Sequence, residues 1–227
     1  MDGAVVLTES GELQPIISDA LLARAALLGT ATLHEAAGRT GALPSHLKPI
    51  DRLMRFAGRA LPVRCPPGDN LWIHRALAET QPGDALVVET GLGDDYGYWG
   101  EIMATAAIAR RAAALVITGG VRDSLRLIEL GLPTFAAGIT IRGTGKDPAG
   151  DGDVGAPVRV GNILVRRGDL VVGDADGVVV FPADQAERLV LLSEQRDAAE
   201  ADILDRIRAG ALTLDVYKFP TSEGESE

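Results

Sequence analysis

Three charged residues in the middle of the chain have types and spacing that could perform chemistry on an anionic substrate. Glu101 follows Gly100, and Arg122-Asp123 come after twenty intervening residues. Glu101 is expected in the first turn of a helix, where unpaired backbone N–H groups and the positive end of the helix dipole can bind an anion. Arg122 has a planar guanidinium suited to a carboxylate, and Asp123 offers hard oxygen ligands for a divalent cation such as Mg²⁺. Together these groups predict chemistry on a 2-keto acid.

The sequence around these residues predicts alternating strands and helices. Ala85–Val88 and Ala114–Ile117 are short apolar runs typical of buried strands, and the second run is expected to end at Gly119-Gly120. A glycine-broken loop, Gly91–Gly100, follows the first strand and precedes a helix that begins near Gly100. One face of that helix is apolar at helical spacing (Ile102, Ala106, Ala109, Ala113). Parallel strands joined by crossover helices end at the same edge of a sheet, so Glu101 and Arg122-Asp123 are expected to face one crevice.

Each of these residues, taken alone, is more often structural. A glutamate at a helix start commonly serves only as a partner for the helix dipole. An Arg-Asp pair after two glycines is commonly a solvated helix start with the aspartate as its cap. The joint spacing of Glu101 and Arg122-Asp123 is what favours a functional site.

The spacing resembles a family pattern. Glu101, twenty residues and Arg122-Asp123 are similar to the Asp/Glu-x20-Arg-Asp signature of the class II pyruvate aldolases. These enzymes act on 4-hydroxy-4-methyl-2-oxoglutarate and 4-carboxy-4-hydroxy-2-oxoadipate, and the ribonuclease E inhibitor RraA and its relatives share their fold and part of the motif. The resemblance covers roughly Leu28 to Tyr217, including three further stretches (Gly131–Thr140, Gly155–Pro182, Arg206–Tyr217). The chain departs from the pattern at Leu33–Ala36, where relatives usually carry a Ser-Asp-Ala type helix start.

The resemblance implies an architecture. It implies an α/β protein with the swivelling β/β/α fold of the RraA-like family, in which a mixed β-structure is flanked by helices. Residues 16–219 are expected to form one domain, after an N-terminal arm over 1–15 and before a disordered acidic tail over 220–227. The implied assembly is a homotrimer or a hexamer with sites at the subunit interfaces. The C-terminal helix, predicted over 183–209, would bring Glu200, as a further catalytic residue, into the site of a neighbouring subunit.

The resemblance also implies an activity. A divalent-metal-dependent aldolase would cleave a 4-hydroxy-2-oxo acid to pyruvate and a second keto acid, with oxaloacetate decarboxylation as a side activity. Asp123 would hold Mg²⁺ or Mn²⁺, Glu101 would act as the base, and Arg122 would bind the substrate carboxylate. Backbone N–H groups at the helix start would complete the substrate site (Gly100, Glu101, Ile102, Met103). Two alternatives stay open: a non-catalytic RraA-like regulator of a ribonuclease, or the same enolate chemistry on another keto acid.

Composition excludes several classes of function. The chain has 227 residues, a net charge of −10 and a pI near 4.8, which argues against binding to nucleic acid or to an anionic membrane. Cys65 is the single cysteine, so an intrachain disulfide or a thiolate zinc site cannot form, and an inert buried thiol is expected. The N-terminus lacks the features of a secretory signal and the chain has no long apolar run, so we expect a cytoplasmic protein.

Two further segments carry expectations. Thr140–Ala156 is rich in Gly and Asp and is long for a loop, which predicts a functional or mobile segment. It lacks the Gly-Lys-Ser/Thr ending of a phosphate-binding loop, and its Lys146 is expected to be a loop charge rather than a Schiff-base lysine. Gln81–Asp84 and Arg166–Asp169 look like the same turn, each placed immediately before a strand.

Overall fold

The computed structural model describes residues 5–7, 13–91, 93 and 95–219, with side chains from residue 16 onward. The predicted acidic tail over 220–227 lies outside the described residues. The predicted arm contains two short strands, which pair with each other in antiparallel orientation. The elements follow in chain order: β1 (Val5–Leu7), β2 (Leu13–Pro15), α1 (Asp19–Ala25), α2 (Thr30–Ala36), β3 (Lys48–Pro49), β4 (Phe56–Arg64), α3 (Leu71–Glu79), β5 (Asp84–Glu89), β6 (Gly97–Trp99), α4 (Glu101–Ala109), β7 (Ala114–Val121), α5 (Ser124–Leu130), β8 (Thr134–Ile139), β9 (Asp153–Val154), β10 (Val158–Val160), β11 (Ile163–Val165), β12 (Leu170–Asp174), β13 (Gly177–Phe181), α6 (Ala183–Arg208) and α7 (Thr213–Tyr217).

The principal sheet has the strand order β13-β12-β4-β5-β7-β8-β3, with β6 added on β7 and β9 on β4. Its centre, from β4 to β8, is parallel, and the strands at both ends are antiparallel to their neighbours. The strands at the two ends, β13 and β3, contact each other, so the sheet is nearly closed. The predicted α/β class, a mixed β-structure flanked by helices, is confirmed.

The core follows from the alternation of side chains along the strands. Leu61 and Val63 of β4 face outward and pack with α3, α4 and α5, whereas Ala60 faces inward. Farther along the sheet, Leu170 and Val172 of β12 pack outward against α1, α2 and α6. The inner face is covered by the hairpin β10–β11 and contains bulky apolar side chains such as Phe135. Because both faces of the central strands are covered, these strands appear in the sequence as continuous apolar runs.

The two turns that look alike in sequence are alike in structure. Asp84 accepts a hydrogen bond from the backbone N–H of Gln81 at 2.9 Å, and Asp169 accepts one from Arg166 at 2.8 Å. The strands that follow, β5 and β12, pair with opposite edges of β4. Both carboxyl groups are buried, and this burial raises their pKa values, that of Asp169 to about 6.

Two sequence-based expectations about the central segment are wrong. The predicted loop Gly91–Gly100 contains the strand β6, and β7 does not end at Gly119-Gly120 but continues to Val121. The two glycines are needed because their neighbours lie too close for a side chain. A Cβ on Gly119 would lie 2.7 Å from the ring of Tyr98, and one on Gly120 would lie 2.3 Å from the methyl group of Thr140. These glycines therefore allow β6 to pack on β7 rather than terminating the strand.

The segment Thr140–Ala156 is more ordered than its composition predicts. It contains β9, and residues at the start of α3 hold it in place. Asp69 accepts the N–H of Asp147, and the N–H of Asn70 donates to the carbonyl of Gly145. The indole of Trp72 donates to the carbonyl of Gly150 at 2.9 Å.

None of the helices in the described part of the chain has the combination of length and apolarity that a membrane-crossing segment needs.

Candidate functional site

Glu101 and Arg122-Asp123 meet where β6 pairs with the end of β7. The N–H of Arg122 donates to the carbonyl of Trp99 at 2.8 Å, which fixes the two segments side by side. The N–H of Glu101 then donates to Asp123 Oδ2 at 3.1 Å. The crevice expected from the parallel-strand argument therefore exists, and it brings Glu101, Arg122 and Asp123 together.

The strand β6 is held in place by buried contacts that the sequence motif does not include. The side-chain amide of Asn70 donates to the carbonyl of Tyr98 at 2.8 Å, and the Tyr98 hydroxyl accepts the N–H of Gly68 at 2.7 Å. The N–H of Gly97 donates to the carbonyl of Arg142 at 2.8 Å. Tyr98 and Trp99 are fully buried in the outer core. The position of Glu101 is thus set by a hydrogen-bonded, buried strand rather than by a loop.

Gly100 is required by close approach rather than by its backbone angles. Its φ of −156° and ψ of −169° are extended values that any residue can adopt. A Cβ at this position would lie 2.4 Å from Asp123 Oδ2 and 3.2 Å from Arg122 Cγ. The two functional side chains therefore lie directly over a glycine that leaves room for them.

The start of α4 offers backbone donors, and one of them is already used. The first intrahelical bond runs from the N–H of Ala104 to the carbonyl of Gly100, so the N–H groups of Glu101, Ile102 and Met103 have no acceptor within the helix. The N–H of Glu101 donates to Asp123, which leaves the N–H groups of Ile102 and Met103 as donors for a ligand. The side chain of Ile102 is 83% exposed, whereas that of Met103 is buried and can contribute only through its backbone.

Asp123 occupies the N-cap position of α5 without acting as a side-chain cap. Its backbone is left-handed, with φ 58° and ψ 35°, and its carboxylate makes no capping bond to α5. Instead the carboxylate turns towards the start of α4. A non-glycine residue in this conformation is uncommon, and aspartate is among the residue types that adopt it most readily. Asp123 therefore stands at the start of α5, as the structural alternative predicts, but its side chain does not cap that helix.

Two arginines, Arg122 and Arg126, lie near the acidic groups of the site. Arg126 bonds Glu129 at 2.5 Å, and the Glu129 bond followed by the nearby charge of Glu101 raises the pKa of the Arg126 guanidinium. The guanidinium of Arg122 extends towards Gly143, where a Cβ would lie 3.8 Å from its Nη1. Arg122 is exposed and can receive an anionic ligand.

Glu200 lies elsewhere in the chain. Its carboxylate bonds Arg196 on the same helix at 2.9 Å, and Arg196 also bonds Glu35 of α2. The buried residues of α6 end at Ser193, and every residue from Glu194 to Arg208 is half-buried or exposed. At 1.5 Å per residue this part of α6 extends about 22 Å from the packed portion of the helix. The structure does not bring Glu200 together with Glu101 and Asp123 within one chain.

A family model described as Aldolase/RraA, RraA-like, matches residues 15–180. The chain belongs to the RraA-like family. Among its relatives, a protein of Halalkalibacterium halodurans named provisionally as a 4-hydroxy-4-methyl-2-oxoglutarate aldolase is 31% identical over 183 residues, which cover 79% of this chain and 86% of the relative. A 4-hydroxy-4-methyl-2-oxoglutarate aldolase of Thermus thermophilus is 30% identical over 141 residues, covering 62% of this chain and 84% of the relative.

The solved structures include a relative whose name refers to ribonuclease inhibition. Streptomyces coelicolor RraAS2, described as an unusual member of the RNase ES inhibitor RraA protein family, superimposes with a TM-score of 0.70 at 27% identity. The match covers 84% of this chain and 98% of RraAS2. The RraA-like family therefore includes proteins named as aldolases and proteins named for ribonuclease inhibition.

The RraA-like site could hold a divalent cation through Asp123. Within the described residues, no three His, Cys, Asp or Glu side chains converge as a protein cage for a metal. Mg²⁺ often does without such a cage, because it keeps several waters and takes one or two carboxylates together with substrate oxygens. The exposed carboxylate of Asp123, which uses one oxygen for the Glu101 N–H, fits this mode of binding.

A separate cleft opens on the inner face of the sheet, at the edge where β5, β7 and β8 end. It has a volume of about 900 Å³, and its walls include Glu89, Thr118, Thr140 and Arg159. The predicted site residues are not among the residues that form its walls. Sequence reasoning missed this cleft because its walls come from separate segments that only the folded chain brings together.

The side chains of Cys65, His34 and Lys146 have structural explanations. Cys65 is a buried free thiol, and burial raises its pKa to about 12, so the predicted inert cysteine is confirmed. His34 Nδ1 lies 2.8 Å from the carbonyl of Thr40, which holds the ring beside its own helix. Lys146 is exposed, and its charge adds to burial in lowering the pKa of His74.

Proposed function

We propose that the protein is a divalent-metal-dependent aldolase that cleaves a 4-hydroxy-2-oxo acid of the 4-hydroxy-4-methyl-2-oxoglutarate type into pyruvate and a second keto acid. The observation that carries the proposal is the position of Asp123 and Arg122 over Gly100, in contact with the first turn of α4 and with Glu101. The names of the aldolase relatives agree with it.

The residues divide the reaction between them. Arg122 and the free N–H groups of Ile102 and Met103 bind the substrate carboxylate and hold the keto acid in one orientation. Glu101 accepts the proton of the C4 hydroxyl. As that hydroxyl becomes the carbonyl of the second keto acid, the C3–C4 bond breaks and its electron pair passes into the pyruvate enolate. Protonation of the enolate at C3 releases pyruvate.

Negative charge builds on the 2-keto oxygen during this cleavage. When bound at Asp123, Mg²⁺ or Mn²⁺ supplies positive charge that stabilises it. Arg122 adds a second positive charge on the same side of the substrate. Loss of carbon dioxide from oxaloacetate gives the same enolate, so we propose oxaloacetate decarboxylation as a side activity.

We also propose that the protein works as a homotrimer or hexamer in which Glu200 enters the site of a neighbouring copy. The support is the exposed part of α6 together with α7. Several large apolar side chains are exposed there (Leu204, Leu212, Leu214, Tyr217, Phe219). Apolar side chains clustered on a protruding segment mark a protein-contact surface. The proposed partners are therefore a 2-keto-acid substrate and further copies of the chain, not nucleic acid.

The test is pyruvate release by the purified protein, measured with lactate dehydrogenase and NADH, with Mg²⁺ or Mn²⁺ and with EDTA. Asp123→Ala is expected to abolish metal-dependent release and leave the protein folded. Asp184→Ala is the matched control, because Asp184 is an exposed aspartate at the start of another helix. Metal-dependent release by Asp123→Ala at the wild-type rate would contradict the assignment of the metal ligand.

A second candidate is a non-catalytic regulator of a ribonuclease, favoured by the structural similarity to RraAS2. It predicts no metal-dependent pyruvate release from oxaloacetate or from any 4-hydroxy-2-oxo acid. It also predicts that the wild-type protein and Asp123→Ala inhibit the ribonuclease equally. A screen of 4-hydroxy-2-oxo acids separates the third possibility, the same enolate chemistry on a different keto acid.

A further inference from the structure

Two arginine–glutamate bridges join α6 to the helices beneath it. Arg24 of α1 bonds Glu194 through two nitrogens, at 2.8 and 2.7 Å. Arg196, two residues farther along α6, bonds Glu35 of α2 through Nη2 and Glu200 through Nε, the second at 2.9 Å. The first bridge joins one cation to one carboxylate. The second differs because one cation holds two carboxylates.

The shared guanidinium fixes both carboxylates. The side chains of Arg196, Glu35 and Glu200 are 42%, 41% and 40% exposed, so each could otherwise move into solvent. Two carboxylates gathered at one place repel each other unless a cation lies between them. Removing Arg196 would therefore leave Glu35 and Glu200 to separate.

The α6 helix by itself does not account for this arrangement. An arginine four residues before a glutamate is the less favourable order for an ion pair in an isolated helix. The additional bond from Glu35 holds the guanidinium in place, and Arg196 in turn holds Glu200. Glu35 belongs to Leu33–Ala36, the segment in which this chain departs from the family pattern. The departure thus supplies a contact to Arg196, the residue that binds Glu200.

We propose that Arg196 and Glu35 are positioning residues that hold the Glu200 carboxylate in one orientation for the site of the neighbouring subunit. The inference rests on the proposed function, in which Glu200 enters the site of a neighbouring copy. A glutamate side chain loses considerable rotamer freedom when it is fixed. Fixing it before the substrate binds removes that cost from the reaction and keeps the carboxylate within the narrow range of positions that catalysis tolerates.

The first experiment compares steady-state pyruvate release by wild type, Arg196→Ala, Arg196→Lys, Glu35→Gln and Arg24→Ala. From the sensitivity of catalysis to group position, Arg196→Ala is expected to lower kcat about 10- to 100-fold with KM within about 3-fold. Arg196→Lys is expected to lose less kcat than Arg196→Ala. Lysine keeps the positive charge but lacks the planar guanidinium that can bind two carboxylates at once. Arg24→Ala cuts a bridge of the same kind and is expected to leave kcat unchanged. An equal loss of kcat in Arg24→Ala would show that α6 attachment matters and Arg196 has no special role.

A double-mutant comparison then tests whether Arg196 acts through Glu200. If it does, Arg196→Ala lowers kcat in the wild-type background and adds no further loss in the Glu200→Gln background. An undiminished loss in the Glu200→Gln background would overturn the inference. Size-exclusion chromatography of each variant shows whether the assembly is retained.

A crystallographic readout keeps the inference separate from the proposed function. Crystal structures of Arg196→Ala and Arg24→Ala are compared with that of wild type. The Glu200 carboxylate is expected to leave its position in the first variant and to keep it in the second. A Glu200 side chain that stays in place in Arg196→Ala would refute the positioning role whatever the activity. Absence of pyruvate release from wild type would instead refute the proposed function.

Discussion

Gly100→Ala is the sharpest perturbation of the proposed site, because it adds a single methyl group beneath both functional side chains. The new Cβ would lie 2.4 Å from Asp123 Oδ2, whereas ordinary contacts begin at 3.4 Å, so the carboxylate must retreat by about 1 Å. The Arg122 side chain must also give way, since its Cγ would be 3.2 Å from the added carbon. A displacement of this size costs about 100-fold in rate, equivalent to about 2.7 kcal/mol of transition-state stabilisation.

The backbone should tolerate the change. The φ and ψ values at Gly100 are extended, and the contacts to be relieved are with exposed side chains rather than with the core. We therefore expect the melting temperature of Gly100→Ala to stay close to that of wild type while kcat/KM for metal-dependent pyruvate release falls about 100-fold. The measurement is the lactate dehydrogenase assay together with thermal unfolding.

Gly138→Ala is the matched control. A Cβ on Gly138 meets no atom within 4 Å, so the same methyl group has room there. Its activity is expected to equal that of wild type. If folded Gly100→Ala releases pyruvate within about 3-fold of the wild-type rate, the positions of Asp123 and Arg122 do not matter to the reaction, and the proposed site is wrong.

Two further predictions concern residues outside the site. Asp169 is 1% exposed, and burial raises its pKa from 3.8 to about 6. The folded state therefore holds this proton more tightly than the unfolded state, so ionisation lowers stability as the pH rises from about 4 to about 6, by at most about 3 kcal/mol. Asp169→Asn cannot ionise and should flatten that dependence in urea unfolding measured from pH 4 to 8; an unchanged pH profile would contradict it. Trp72→Phe removes the indole bond to Gly150 and should cost about 1 kcal/mol, with faster hydrogen exchange at residues 145–152. Unaltered exchange in that segment would show that the bond does not hold it.

Much of the fold could be predicted from periodicity. The apolar runs at Ala85–Val88 and Ala114–Ile117 and the helical spacing after Gly100 identified β5, β7 and α4, because burial of one face or both faces imposes these patterns. The errors lie where a short-range rule competed with packing. Gly119-Gly120 has the composition of a strand end, but the ring of Tyr98 requires the space beside it, and that contact involves a distant part of the sequence.

The candidate site was predictable to a similar extent. The rule that parallel strands share a carboxyl edge placed Glu101 near Asp123 without any knowledge of side-chain contacts. It could not show that Asp123 would accept the N–H of Glu101. Nor could it show that a side chain at position 100 would collide with Asp123. The spacing of Arg196 and Glu200 on a helix was visible in the sequence, but the bond to Glu35 was not.

The sequence by itself determined the order of the elements, the acidic character of the chain and the two motif segments that converge, because these depend on local periodicity, composition and the geometry of parallel strands. The tertiary structure alone decided that Asp123 lies over Gly100, that Glu35 and Arg196 hold Glu200, and that a cleft opens at the inner face of the sheet. These contacts join residues that are distant in the chain. Their distances depend on how whole helices and strands pack, and a linear pattern carries no measure of that packing.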